Sequence, residues 1–161
     1  MQHTIGIGEM KVSKQRDDVL ATGALASGIA LSLYDPAAGA GGLIHCMLPL
    51  AKVSPTRAAA TPALFTDTGV PALLEAVAGL GAERAGLIAT VAGGGSLLDD
   101  KNLFKSGGRN YTVLRKLLWK NDLWIAAEYI GGTHARAMYL YMATGETIVK
   151  ASRNAGEDGP A

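Results

Sequence analysis

The sequence predicts an α+β fold: one domain of many short strands with two amphipathic helices. Three observations carry this. Apolar runs of four to eight residues recur between Gly, Pro and Asp punctuation, the pattern of short strands. Only two stretches show the 3–4 apolar spacing of a helix. And the 161 residues are 48% apolar but only 6% aromatic, with 21 glycines, which favours Ala, Gly and Leu packing around tight turns. The length suits a single domain, placed at residues 1–150 with a small, polar C-terminal tail at 151–161 expected to be disordered.

Taken in order, Glu9 to Ser13 alternates polar and apolar residues, as a half-buried strand does. Val19 to Ala24 and Ser27 to Tyr34 read as strands divided by small residues. Asp35-Pro36, with the Ala/Gly stretch behind it, marks a turn. Leu43 to Leu48 is an apolar run bounded by Gly and Pro, predicted to be a buried strand. Residues 49–62 hold three prolines among Ser and Thr and read as a loop. Pro71 suits the first turn of a helix carrying Leu73, Leu74, Val77 and Leu80, stopped at Gly79 or Gly81. Gly86 to Val91 is a strand, and Gly93 to Ser96 a tight loop. Arg109 to Lys120 is the second helix, with Tyr111, Leu114, Leu117 and Leu118 on one face. Leu123 to Ile130 is a strand, and Ala135–Met142 with Glu146–Lys150 form a hairpin around Ala143-Thr144-Gly145.

Charge and composition exclude several classes. A net charge of +1 supplies no global field for nucleic acid or an anionic membrane. The uncharged run from Val19 to Leu33 is too short to span a bilayer, and the N-terminus shows no basic region followed by an apolar core. A single cysteine forms no intrachain disulfide and fits a reducing cytoplasm. His3, His45 and His134 are scattered, so no metal and no cofactor is expected.

Four features invite chemistry. Gly93-Gly94-Gly95-Ser96 lacks the Gly-Lys-Ser/Thr ending of a phosphate loop and reads as a turn needing positive φ or close backbone approach. Lys101, Lys105, Arg109, Arg115, Lys116 and Lys120 form a basic segment that reads as a solvated helix face; as a functional surface it would suit an acidic protein partner. His134, beside a turn, reads as exposed. The pair His45-Cys46 resembles a base beside its nucleophile. A strand, however, turns successive side chains to opposite faces, and a base must come within about 3 Å of the group it deprotonates. Leu43, His45 and Met47 share one face; Ile44, Cys46 and Leu48 share the other. Cys46 is therefore expected to be core packing.

The stretches "IGIGEMKVS", "ALASGIALSLYDPAAGAGGLIHCMLP", "DTGVPALLE", "AGGGSLL", "SGGRN" and "GGTHARAMYLYMATG" occur in the order found in CheD, the chemoreceptor glutamine deamidases of chemotaxis. The chain resembles that family over roughly residues 5–150. The resemblance implies a layered α/β/β/α sandwich, similar to the catalytic domain of the cytotoxic necrotizing factor. It also implies a Cys-His-Thr site in which a thiolate attacks a receptor glutamine, ammonia leaves and water cleaves the thioester. Implied partners are chemoreceptor cytoplasmic helices and the CheC phosphatase, in the cytoplasm.

Carried over residue by residue, the family's histidine falls on His45 and its threonine on Thr22. The nucleophile's Leu-Gly-Ser-Cys pattern reads here Leu25-Ala26-Ser27-Gly28, with Asp35-Pro36 fixing the register. Position 28 is glycine, and the family's preceding Gly is Ala26. Ser27 is left as a substrate-binding candidate. The expectation is a CheD-like protein without deamidase chemistry that acts by binding. An active deamidase with a displaced nucleophile such as Cys46 is the second reading, and a small-molecule binding fold resting on the Gly-rich loops is the third.

Overall fold

The computed structural model describes residues 1–95, 106–131 and 135–151. Strand β1 (Gln2–Ile5) pairs in parallel with β3 (Val19–Thr22), which pairs antiparallel with β8 (Arg136–Tyr141), itself joined to β9 (Glu146–Ala151). A second, five-stranded sheet runs in the order β2 (Glu9–Ser13), β5 (Ala40–Cys46), β4 (Ile29–Asp35), β6 (Ile88–Gly93), β7 (Ile125–Ile130). Helices α2 (Thr66–Gly79) and α3 (Ser106–Lys120) lie on one face of this larger sheet, and the four-stranded sheet covers the other. The α+β prediction therefore holds, with a helix layer, the five-stranded sheet and the four-stranded sheet stacked in that order.

Strands β4 and β5 form the middle of this arrangement and are buried at every position. Their alternation feeds two cores. Ile29, Leu31, Leu33 and Ile44 pack under the helices with Leu73 and Leu118. Ala30, Tyr34 and Leu43 pack between the sheets with Leu20, Met138 and Leu140. A polar rivet joins the sheets as well: the Ser32 and Thr147 hydroxyls are 2.7 Å apart. The turn between β4 and β5 is fixed by Asp35, whose carboxylate accepts the Ala37 and Glu83 amides at 3.0 and 2.9 Å.

Most expected elements form, and the departures have physical causes. The sequence carries no pattern for β1, since its one buried residue, Ile5, gives no alternation to read. The predicted loop at 49–62 instead contains a short helix, α1 (Pro55–Ala60), flanked by single 3-10 turns at Ala51–Val53 and Pro62–Leu64. Pro55 and Pro62 do not break the chain into loop but each begin one of these helical turns. α2 starts at Thr66, so Pro71 lies inside the helix rather than in its first turn. Tertiary bonds anchor that earlier start: the Thr66 and Asp67 amides donate to the Leu48 and Pro49 carbonyls, and Asp67 Oδ1 accepts the Ala51 amide at 2.8 Å. Ala151 closes β9 opposite Arg136; the remainder of the expected tail, along with Ser96, Lys101, Lys105 and His134, lies outside the described residues.

Candidate functional site

The site lies where β4 begins and β5 ends. The antiparallel register sets Ile29 opposite Cys46 and Ala30 opposite His45, so residue 28 arrives directly beside the end of β5. His45 faces the gap between the sheets and is only 3% exposed. A Cβ placed on Gly28 would lie 3.0 Å from His45 Nε2 and 3.4 Å from Cδ2. A side chain at position 28 is thus aimed at the imidazole. The same Cβ would stand 2.8 Å from the Cys46 carbonyl oxygen, closer than main chain tolerates. As the backbone stands, the position accommodates glycine, and a larger residue requires a main-chain shift.

Burial lowers the His45 pKa below its ordinary 6.5, with the nearby Ile5 main chain opposing it. The imidazole is therefore held neutral. Its Nδ1 is buried without a hydrogen-bond partner. Thr22 lies on the neighbouring sheet, in register with Ile5, and is buried. Its hydroxyl oxygen accepts the Met138 amide at 3.0 Å, and no bond from it to His45 is formed. The fold brings Thr22, Gly28 and His45 into one region, but the orienting threonine–imidazole bond that the resemblance implies is not made.

Cys46 points the other way. It is fully buried under the helices, where a Cβ on Gly69 of α2 would come within 3.2 Å of its Sγ. Burial pushes the thiol up to about 12, with the Thr66 hydroxyl opposing and the Asp67 charge adding to the rise. The alternation argument for His45 and Cys46 holds.

The loop around Gly28 is clamped from two sides. Gly94 and Gly95 donate their amides to the Gly28 and Ala26 carbonyls at 2.9 and 2.7 Å. Gly93 has φ 109°, and a Cβ there would collide with the Gly28 carbonyl, so only glycine fits. These amides are spent on the loop rather than turned to a phosphate, so the turn reading of the Gly-rich segment stands. On the other side is a residue the sequence reasoning passed over. Asn110 of α3 is fully buried; its Nδ2 donates to the Ser27 and Met47 carbonyls at 3.0 and 2.9 Å, and its Oδ1 accepts the Thr66 hydroxyl at 3.0 Å. One amide side chain therefore joins the Gly28 loop, the end of β5, α2 and α3. A signal existed: Asn110 sits one turn before Leu114 on the apolar stripe of its helix, where an unpartnered polar group would be costly. Ser27 is half-buried, and its carbonyl is one of the groups held.

Among the described residues no three His, Cys, Asp or Glu side chains group as a metal site. Among them too, no helix is long and apolar enough to cross a membrane.

A family profile described as CheD chemotactic sensory transduction matches residues 47–151. The chain is 45% identical over 144 residues to a probable chemoreceptor glutamine deamidase CheD from Solibacter usitatus, covering 89% of this chain and 85% of that protein. It is 42% identical over 148 residues to a protein of the same description from Syntrophus aciditrophicus, covering 92% of each. To one from Archaeoglobus fulgidus it is 34% identical over 151 residues, again covering 92% of each. The profile match begins just past His45, whereas these pairwise matches span most of the chain. With matches of this extent, the chain belongs to the CheD family of chemotaxis proteins.

Proposed function

We propose that this CheD-family protein engages a chemoreceptor cytoplasmic helix or a CheC-like phosphatase in the cytoplasm through the surface around Gly28, His45, Thr22 and Ser27, and that it lacks the covalent route to deamidation. Its relatives are described as chemoreceptor glutamine deamidases, and that is the activity the scaffold suits. Covalent deamidation needs a sulfur or oxygen to bond to the carboxamide carbon, a protonated leaving ammonia, and a water to cleave the resulting ester or thioester. The observation that supports the reading is the line from Gly28 to His45: the position aimed at Nε2 carries no atom that can form the first bond. What remains is a buried neutral imidazole able to exchange hydrogen bonds with a carboxamide.

Cys46 as a displaced nucleophile is opposed by its full burial on the helix side and by a thiol held at about 12. Ser27 lacks an aligned base for the same chemistry.

The test is to incubate the protein with a chemoreceptor cytoplasmic domain and follow ammonia release and the amide-to-acid mass change. Saturable binding without conversion is the expected result. Conversion that depends on His45 would overturn the proposal, and conversion lost in Cys46→Ala would establish the displaced nucleophile instead.

A further inference from the structure

We propose that the open edge of β7, together with the tryptophan-lined groove between β7 and α3, is a docking site for an extended acidic segment of a partner polypeptide. It is separate from the site at Gly28. β6 touches Gly28 through Gly93, whereas Ile125, next to Trp124, pairs with Ala89 at the far end of that strand. The proposal therefore does not depend on how that site works.

The backbone specifies an extended occupant. β7 ends the five-stranded sheet and, among the described residues, is paired on one side only, with β6. Its outer row of N–H and C=O groups is a template for another strand. Edge strands are commonly protected by lysine, proline or an inward-pointing charge. β7 reads Ile-Ala-Ala-Glu-Tyr-Ile, and its one charge, Glu128, accepts the Tyr111 hydroxyl at 2.6 Å from α3. The register irregularity on this pair lies at its start, between Ala89 and Thr90, and leaves the rest of the edge regular.

The side chains specify an anchor. The chain has two tryptophans, and both border this groove: Trp119 is 73% exposed and Trp124 83% exposed. With Tyr111, Arg115 and Ile125 they line a groove of about 490 Å³. Trp, Tyr and Arg are the residues that most often dominate binding energy at interfaces. Neither tryptophan serves a core here; Leu118 and Leu123, the residues immediately before each, do.

The charge specifies the partner's sign. Over its whole length α3 carries Arg109, Arg115, Lys116 and Lys120, all exposed, and no acid. The acids on the rim are Asp122, exposed, and Glu128, engaged by Tyr111. A strand laid along β7 with acidic side chains towards α3 meets Arg115 within the groove, with Lys116 in the adjoining hollow on α3.

Because both tryptophans of the chain border the groove, tryptophan fluorescence, excited selectively over tyrosine, reports on it. The probe is a ten-residue peptide alternating glutamate and valine, with a lysine-valine peptide as its counterpart. The expected result is a saturable blue shift with the acidic peptide, slowed amide exchange within 125–130, and binding about tenfold weaker in Arg115→Glu, an exposed position that leaves the fold intact. No shift at millimolar peptide overturns the proposal, as does an equal response to the lysine peptide. A shift that follows protein concentration without peptide, together with a dimer in sedimentation, overturns it in favour of a second copy of the chain.

Discussion

On the helix side of β5, Cys46 is packed with Ile44 against α2 and its thiol is held protonated; on the sheet side, one residue earlier, His45 faces Gly28 and its imidazole is held neutral. Burial shifts the two groups in opposite directions because it disfavours whichever form is charged. The same physics thus leaves both uncharged, but only His45 opens towards a position where chemistry is expected. Adjacency in sequence says little about partnership on a strand, since the pleat sends neighbours into different layers. Here those layers are two separate cores.

The largest expected contrast between the two faces is in thiol reactivity. With a thiol near 12, Cys46 should alkylate at pH 8 on the order of a thousandfold more slowly than an ordinary cysteine, and fully once unfolded. A thiol introduced by Gly28→Cys should label faster than Cys46, being beside an imidazole and outside the helix-side core. Equal or slower labelling at position 28 would show that the site no longer activates a thiol. The 2.8 Å approach to the Cys46 carbonyl also predicts that this variant is less stable than the parent, measured by thermal midpoint.

Next come the two cores. Leu118→Ala on the helix side and Leu140→Ala between the sheets should each cost about 2–5 kcal/mol in chemical denaturation. Leu117, only partly buried, should cost less than its neighbour. A denaturation midpoint unchanged by either of the first two would break the description of two packed cores.

Asn110→Ala should cost about 1–3 kcal/mol by removing the donor to the Ser27 and Met47 carbonyls and leaving the Thr66 hydroxyl only the Leu48 carbonyl. It should also release the Gly28 loop and hydrate the imidazole, moving the His45 titration up towards 6.5 in an NMR pH series. Leu114→Ala, on the same helix, should destabilise without moving that titration. If both variants move it equally, Asn110 is a packing residue and not a clamp on the site.

The smallest effect is the pH dependence. The folded pKa of His45 lies below 6.5, so on acidification the unfolded chain takes up the proton first. Its contribution to stability is present above about 6.5 and lost as pH falls from there through the folded value. His45→Gln should flatten the thermal midpoint across that window; an equal fall in both proteins would locate the pH dependence elsewhere. Asp18, lowered by the Ser13 hydroxyl and by His3, acts in a different window, with stability lost only as pH falls below 3.8.

Much of this was legible in the sequence because local periodicity reports which residues seek burial. The alternation from Glu9 to Ser13, the apolar run through His45, the Asp35-Pro36 turn and the stripe on α3 each formed where expected. The resemblance to the family's Leu-Gly-Ser-Cys pattern, with Asp35-Pro36 fixing the register, singled out position 28, and the strand pleat was enough to separate Cys46 from His45. Periodicity does not report what covers each face. That β3 and β4, close in the chain, enter different sheets was decided by pairing with β8 and β6, both far along it. The start of α2 was decided by carbonyls at Leu48 and Pro49, and the role of Asn110 by two carbonyls and a hydroxyl from three other segments. Such groups are invisible to a local reading because their partners are brought to them only when the layers close, and a buried polar group is held in place by whichever partners that closure supplies.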